Sequence, residues 1–109
     1  MTSADRFVAV FITVPDVEEG ERIAAALVEE RLAACVNVLP GCRSVYRWEG
    51  RVQRDDEALM MVKTNSEGFA ELERRVTELH PYDVPEIIAV DLAAVSAPYR
   101  KFLRDSLSP

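Results

Sequence analysis

Nitrogen and sulfur ligands for metal ions are scarce in this sequence, which has one histidine, His80, and two cysteines, Cys35 and Cys42. The cysteines do not form a C-x-x-C pair, and neither lies near a second histidine, so no zinc-finger spacing is present. A G-x-S-x-G motif is also lacking, and any Cys–His catalytic pair would have to use the single histidine. We therefore expect no enzyme activity and no required cofactor.

An excess of basic residues and a long apolar run are lacking as well. Nineteen acidic residues against thirteen Lys and Arg leave a net charge of −6, which argues against a nucleic-acid partner because phosphate binding needs clustered basic residues. No segment approaches the roughly 20 apolar residues that span a bilayer. The N-terminus has no basic region of the kind that opens a signal peptide. We expect a cytoplasmic protein that binds neither nucleic acid nor membrane.

The composition that remains is that of an ordinary globular domain. Hydrophobic residues make up 49% of the 109 residues and charged residues 29%. A chain of this length buries somewhat under ~70% of its unfolded surface, so it can fold without metals or disulfides. We expect residues 1–109 to form a single domain.

Apolar periodicity predicts seven secondary-structure elements. The first four are a buried strand over 7–14, a helix over 17–32, a long strand over 33–48 with a bend or bulge at Pro40-Gly41, and its partner strand over 52–64. A second helix follows, which carries the apolar residues Phe69, Leu72, Val76 and Leu79 and is stopped by Pro81. The last two are a strand over 87–92 and a short C-terminal helix opened by Ser96 and Pro98. The order β-α-β-β-α-β with right-handed crossovers predicts an α+β, ferredoxin-like antiparallel sheet with a C-terminal helix.

The two middle strands are longer than the usual five or six residues, and the pair Glu49-Gly50 supplies their hairpin turn. A hairpin that extends beyond its own sheet leaves strand edges unpaired, which is a liability unless another chain covers them. The length of this hairpin therefore predicts an oligomer.

Five segments of the chain carry a resemblance to a known family. They are Thr13-Val14-Pro15-Asp16, Glu30-Arg31-Leu32-Ala33-Ala34-Cys35-Val36-Asn37, Pro40-Gly41, Tyr46-Arg47-Trp48-Glu49-Gly50 and His80-Pro81-Tyr82-Asp83-Val84-Pro85-Glu86. In this order and at these intervals they resemble the CutA divalent-cation tolerance family over nearly the whole chain. The resemblance implies a homotrimer of ferredoxin-like subunits with sheets joined across subunits, and a link to copper and other divalent cations.

His80 is the candidate metal ligand. Family members proposed to bind copper carry a cysteine where this chain has Ile12, and a histidine pair where it has Leu79-His80. Two of those three ligands are therefore absent here, and we expect at most weak binding of Cu²⁺ or another divalent cation. The alternative is a structural histidine that ends the second long helix and hydrogen-bonds to nearby carbonyls.

The two cysteines are candidates for soft-metal binding or oxidation. Cys35 lies among apolar neighbours, where a free cysteine behaves as a small hydrophobe. Cys42 follows Pro40-Gly41, and we expect it to be the more exposed of the two. The odd separation of the cysteines would place them on opposite faces of a regular strand, so we expect no disulfide between them.

A second candidate site is a pocket at a subunit boundary. Tyr46 and Trp48 have the same facing on a regular strand, and each offers a flat apolar surface with a polar tip. With charged and phenolic partners such rings could hold a small molecule. The proposed pocket consists of Tyr46, Trp48, Glu57, Lys63, Tyr82, Glu86 and Tyr99. The alternative is that Tyr46 and Trp48 are anchors of a subunit interface.

Taken together, the residues and the resemblance predict a trimeric protein of divalent-cation tolerance that acts in small-ligand or metal-responsive signalling and is not an enzyme. Its partners would be further copies of itself and a small ligand or divalent cation. Two alternatives stay open. One is a genuine copper-binding or divalent-metal-binding protein with an intersubunit site, and the other is a purely structural trimer that positions a partner.

Overall fold

The computed structural model describes residues 5–109. Residues 1–4, on which the expectation about the N-terminus partly depends, lie outside that range. The elements are β1 (Phe7–Val14), α1 (Val17–Glu29), β2 (Cys35–Trp48), β3 (Arg51–Asn65), a 3₁₀ turn (Ser66–Gly68), α2 (Phe69–Leu79), β4 (Ile87–Asp91) and α3 (Ala97–Leu107). All strand pairs are antiparallel, in the order β2-β3-β1-β4. The predicted α+β, ferredoxin-like architecture with a C-terminal helix is confirmed.

The core lies between the sheet and the two long helices. Alternate residues of β1 and β3, such as Val10, Ile12 and Met60, are completely buried on this side. The apolar stripe predicted for α2 packs against them, with Leu72 and Val76 fully buried. At one end of the sheet α3 covers part of the opposite face in a smaller cluster, formed by Phe7, Ala34 and Leu103. Within residues 5–109 no helix is long and apolar enough to cross a membrane.

Helix α1 ends at Glu29, three residues before the predicted end. Arg31 adopts a left-handed conformation with φ of 59°. Its N–H donates to the Val28 carbonyl at 3.1 Å, and the Leu32 N–H donates to the Leu27 carbonyl at 2.9 Å. This is the pattern of a Schellman motif, which normally uses glycine at the left-handed position. The prediction missed the helix end because no glycine marks it.

The hairpin between β2 and β3 extends beyond the rest of the sheet. Strand β1 pairs with β3 only from Ala58 to Asn65, so the segment from Arg51 to Glu57 has β2 on one side and no strand on the other. The turn at Glu49-Gly50 has positive φ at both residues, 51° and 76°, as a type I′ hairpin turn requires. The radius of gyration is 14.5 Å, against about 13 Å for a compact domain of this length. The predicted overhang is present.

The expected bulge at Pro40-Gly41 changes which faces the cysteines occupy. One extra residue stands between the pairs Leu39↔Leu59 and Cys42↔Glu57, so side-chain alternation reverses at that point. Cys35 lies opposite Lys63 and Cys42 opposite Glu57, and these two partners share one face of β3. The expectation of opposite faces was therefore wrong. Both thiols are free, because about seven strand residues hold them roughly 20 Å apart.

Candidate functional site

A groove lies where the overhanging hairpin passes the loop between α2 and β4. Its volume is about 590 Å³, within the range of small-molecule sites. The hairpin forms one wall, residues 82–86 of the loop form another, and the end of β1 closes the base. The lining residues are Thr13, Ser44, Val45, Tyr46, Trp48, Asp55, Glu57, Tyr82, Asp83, Val84 and Glu86.

Five of the seven proposed pocket residues meet in this groove: Tyr46, Trp48, Glu57, Tyr82 and Glu86. The bulge in β2 turns Tyr46 and Trp48 to the same face as Asp55 and Glu57 of β3. The loop then brings Tyr82 to that face from another part of the chain.

Lys63 and Tyr99 are not among the lining residues. Lys63 lies six residues further along β3 than Glu57, which places it roughly 20 Å away, and its Nζ donates a hydrogen bond to Oδ1 of Asn37. Tyr99 is on α3, and burial together with the neighbouring Cys35 thiol raises the pKa of Tyr99. In the single chain these two residues therefore belong to a separate cluster around Cys35.

Several residues of the groove were not predicted from the sequence. Asp55 is two positions from Glu57 and shares its face, so strand periodicity could have identified it. Asp83 lies in the same loop as Tyr82 and Glu86. Thr13 and Ser44 gave no signal, because only the relative placement of β1 and the hairpin brings them together.

Two tyrosines of the groove are bonded to carboxylates across it. The Tyr82 hydroxyl donates to Oε2 of Glu57 at 2.9 Å, and the Tyr46 hydroxyl donates to Oδ2 of Asp55. Burial, followed by the bond to Glu57, raises the pKa of Tyr82, and the bond to Asp55 raises the pKa of Tyr46. Both phenols therefore remain protonated donors at neutral pH.

The groove is negatively charged. Its lining includes four carboxylates, Asp55, Glu57, Asp83 and Glu86, and none of the lining residues is Lys, Arg or His. Within residues 5–109 the side chains of Asp83 and Glu86 make no hydrogen bond or ion pair. Those two carboxylates are therefore available to a ligand.

His80 braces the loop that forms one wall. The side chain is 7% exposed, and its Nε2 lies 2.8 Å from the Thr13 carbonyl oxygen. Nδ1 accepts a hydrogen bond from the Tyr82 N–H at 3.1 Å, which assigns the proton to Nε2. Both ring nitrogens are thus used within the chain. His80 directly follows α2, and the carbonyl that its Nε2 reaches belongs to Thr13 of β1, in agreement with the structural alternative.

A metal centre is not assembled by the part of the chain that the structure describes. No group of three or more His, Cys, Asp or Glu side chains there is placed to hold an ion. Cys35 and Cys42 are both half-buried, and a greater exposure of Cys42 stays a prediction. The Cys42 Sγ lies 3.8 Å from the Ser44 Oγ, at the edge of the groove. Weak binding of Cu²⁺ at His80 or Cys42 stays a prediction.

Comparison with known proteins gives one consistent family. Residues 8–106 match the family model described as CutA1 divalent ion tolerance protein. The divalent-cation tolerance protein CutA of Thermus thermophilus is 53% identical over 97 residues, which cover 89% of this chain and 94% of that protein. Protein CutA of Homo sapiens is 43% identical over 96 residues, or 88% of this chain and 54% of that protein. The chain thus spans about half the length of the human relative.

Solved structures agree with these sequence matches. CutA1 from Oryza sativa has a TM-score of 0.93 and 40% identity, covering 98% of both chains. The Thermus thermophilus protein has a TM-score of 0.90 at 50% identity, covering 94% of this chain and 99% of that chain. Relatives are named for different compartments, chloroplastic in Arabidopsis thaliana and periplasmic in Archaeoglobus fulgidus. A cytoplasmic location for this chain therefore stays a prediction.

Proposed function

We propose, since this chain belongs to the CutA1 divalent ion tolerance family, that it is a homotrimeric binding protein whose groove takes up a small organic ligand. The protein would act in cation tolerance through that ligand, in the cytoplasm, without a required cofactor and without catalysing a reaction.

The groove is the observation that carries this proposal. Five residues selected for their chemistry meet there around a volume of about 590 Å³. Flat rings next to fixed hydrogen-bonding groups are the usual make-up of small-molecule sites. The bonds from Tyr46 to Asp55 and from Tyr82 to Glu57 hold those groups in position before any ligand arrives.

An oligomer is supported by the sheet face that α3 leaves open. Leu39 of β2 and Ile88 and Val90 of β4 are 41–53% exposed and lie on this same face. The overhanging part of β3 also leaves backbone groups without a strand partner on one side. Association with further copies would cover the apolar side chains and the open edge together. The number three comes from the family resemblance.

The absence of catalysis is supported by how the groove uses its polar groups. A nucleophilic hydroxyl or thiol needs a neighbouring base within hydrogen-bond reach. The Ser44 hydroxyl lies 3.8 Å from the Cys42 thiol, and both nitrogens of His80 are bonded to the backbone of Thr13 and Tyr82. Asp55 and Glu57 accept hydrogen bonds from the tyrosines.

Fluorescence of Trp48 provides the test, because Trp48 is the only tryptophan of the chain. The intact oligomer would be titrated with a defined panel of free amino acids, nucleosides and nucleotides. We expect a saturable change in emission with at least one member, and its loss in Glu57→Ala.

The matched control is Asp56→Ala, because Asp56 is the next residue of β3 and points to the other face, where it pairs with Arg43 at 2.8 Å. This variant should respond like the wild type. A response that survives in Glu57→Ala, or the absence of a response to the panel and to simple organic ions alike, would contradict ligand binding in the groove and favour a metal-binding or purely structural trimer.

A further inference from the structure

We infer that the ligand of this groove carries a positively charged organic group, an ammonium or a guanidinium, attached to a short hydrocarbon. This inference rests on the proposed binding function and adds the chemical class of the ligand.

The charge of the lining is the first reason. Four carboxylates and no basic side chain line the groove. The basic residue nearest along the strand to Asp55, Arg54, points to the opposite face, and Arg43 on that face is occupied by Asp56. Arg51 is paired with Trp48 on the groove face but is not a lining residue. An anionic ligand would meet the four carboxylates of the lining, whereas a cation is attracted by the sum of those groups.

The state of the individual carboxylates is the second reason. Asp55 and Glu57 accept phenolic hydrogen bonds, which keep their oxygens in place. Asp83 and Glu86 make no such bonds within residues 5–109 and are exposed. They are therefore the groups that a ligand cation can pair with, without breaking a contact of the folded chain.

The aromatic walls are the third reason. Trp48 is 53% exposed and Tyr46 is 42% exposed, so ring surface remains open to the groove. A cation over a tryptophan or tyrosine face is attracted by the ring quadrupole. Val45 and Val84 add apolar surface beside the rings, and this surface would be covered by the hydrocarbon part of the ligand.

A bare divalent ion fits the same charge less well. Metal ions need three or more donor atoms that converge on one point, and no such group of three side chains exists in residues 5–109. An ammonium or a guanidinium carries several N–H donors that point in different directions, so it can pair with carboxylates that do not converge on one point. Because the four carboxylates do not converge on one point, the groove suits an organic cation better than a bare divalent ion.

Three probes of matched shape and different charge test the inference: butylguanidinium, the neutral butylurea and the anionic pentanoate. Trp48 emission would be followed in the intact oligomer at a moderate, fixed salt concentration. We expect butylguanidinium to bind at least about tenfold more tightly than butylurea, the sum of one cation–π contact and one or two exposed ion pairs. Pentanoate should give no response.

Variants locate the effect. Replacing both free carboxylates, Asp83→Asn with Glu86→Gln, should remove most of the preference for butylguanidinium over butylurea. Asp56→Asn, which removes one negative charge from the opposite face of β3, should leave that preference unchanged. Both variants keep side-chain volume, and circular dichroism would verify their folding.

The outcomes separate this inference from the binding function. Butylurea or pentanoate binding as tightly as butylguanidinium would overturn the charge inference and leave ligand binding intact. The same holds if only neutral or anionic members of the amino-acid and nucleotide panel respond. If neither the panel nor the three probes changes the Trp48 emission, both proposals are overturned. That result is expected if a neighbouring chain fills the groove.

Discussion

Replacing His80 with alanine should destabilise the folded chain whether or not a metal is present. The ring joins the Thr13 carbonyl of β1 to the Tyr82 N–H of the loop, at 2.8 and 3.1 Å, and is 7% exposed. Each bond contributes about 0.5–1.5 kcal/mol net, and a buried group left unpaired costs about 1–3 kcal/mol. We expect His80→Ala to lower the free energy of unfolding by about 2–4 kcal/mol.

Two further variants divide this loss between the bonds. His80→Gln places an amide N–H near the position of Nε2 and can keep the bond to Thr13. His80→Asn places an oxygen near Nδ1 and can keep the bond to Tyr82. Each should therefore lose roughly half as much stability as His80→Ala. Glu73→Ala, an exposed change on α2, is the control and should stay within about 0.5 kcal/mol of the wild type.

The assay is guanidinium unfolding with a chelator present and at one fixed chain concentration, because oligomer stability depends on concentration. A His80→Ala protein within about 0.5 kcal/mol of the wild type under these conditions would refute the role of His80 as a brace. If His80→Ala is less stable than the wild type only in the presence of Cu²⁺, the ring would instead be identified as a metal ligand.

The other predictions concern assembly, tyrosines, thiols and metal. Light scattering should return three times the chain mass, and Trp48→Ala should weaken the trimer by up to about 3–5 kcal/mol if the ring is buried between chains; an unchanged dissociation midpoint would mean that the ring only faces the groove. All three tyrosines have a pKa raised above the ordinary 10.0, so folded protein should show little tyrosinate absorbance at pH 10. The contribution of these raised pKa values to the free energy of unfolding is fully present below pH 10 and should fall as the pH rises further. A tyrosinate absorbance at pH 10 equal to that of the unfolded chain would contradict the raised pKa values. Mass spectrometry without reductant should find Cys35 and Cys42 as two free thiols, and a mass lower by two hydrogens would show a bridge. Calorimetry should give micromolar or weaker affinity for Cu²⁺, reduced in His80→Ala or Cys42→Ala, and stoichiometric metal that survives a chelator would revive the metal-binding alternative.

The fold could be predicted because its signals are local. The apolar run of β1 and the stripe of α2 each specify their own element through spacing alone. The end of α1 was missed because Arg31 takes the left-handed position where glycine is the usual sign. Whether a non-glycine residue accepts that conformation depends on contacts beyond the helix, such as the bond from Arg31 to the Ser106 carbonyl.

The candidate site could be predicted only in part, because it depends on register between segments far apart in the chain. Lys63 and Glu57 share a face of β3, as the alternation indicates, yet the groove reaches only one of them. The end of β1 and the path of the loop after α2 decide that Glu57 lines the groove and Lys63 does not. Strand periodicity assigns a face to a residue but not a position along the sheet.

The bulge at Pro40-Gly41 connects the fold to the proposed function. If every residue of β2 from Leu39 to Trp48 alternated regularly, Tyr46 and Trp48 would point to the face that carries Asp56, and Asp55 would have no phenol across from it. The reversal that invalidated the reasoning on Cys35 and Cys42 is therefore the same one that assembles the groove. A deletion of Gly41 should remove the bulge and leave Pro40 alone between the pairs Leu39↔Leu59 and Cys42↔Glu57, so that Tyr46 and Trp48 keep their face. We therefore expect the Trp48 response to butylguanidinium to survive the deletion, with the circular dichroism signal of the helices α1 and α2, which pack on the far side of the sheet from the groove, unchanged. A response lost while that signal is kept would mean that the local geometry of the bulge, and not the facing of the hairpin alone, builds the site.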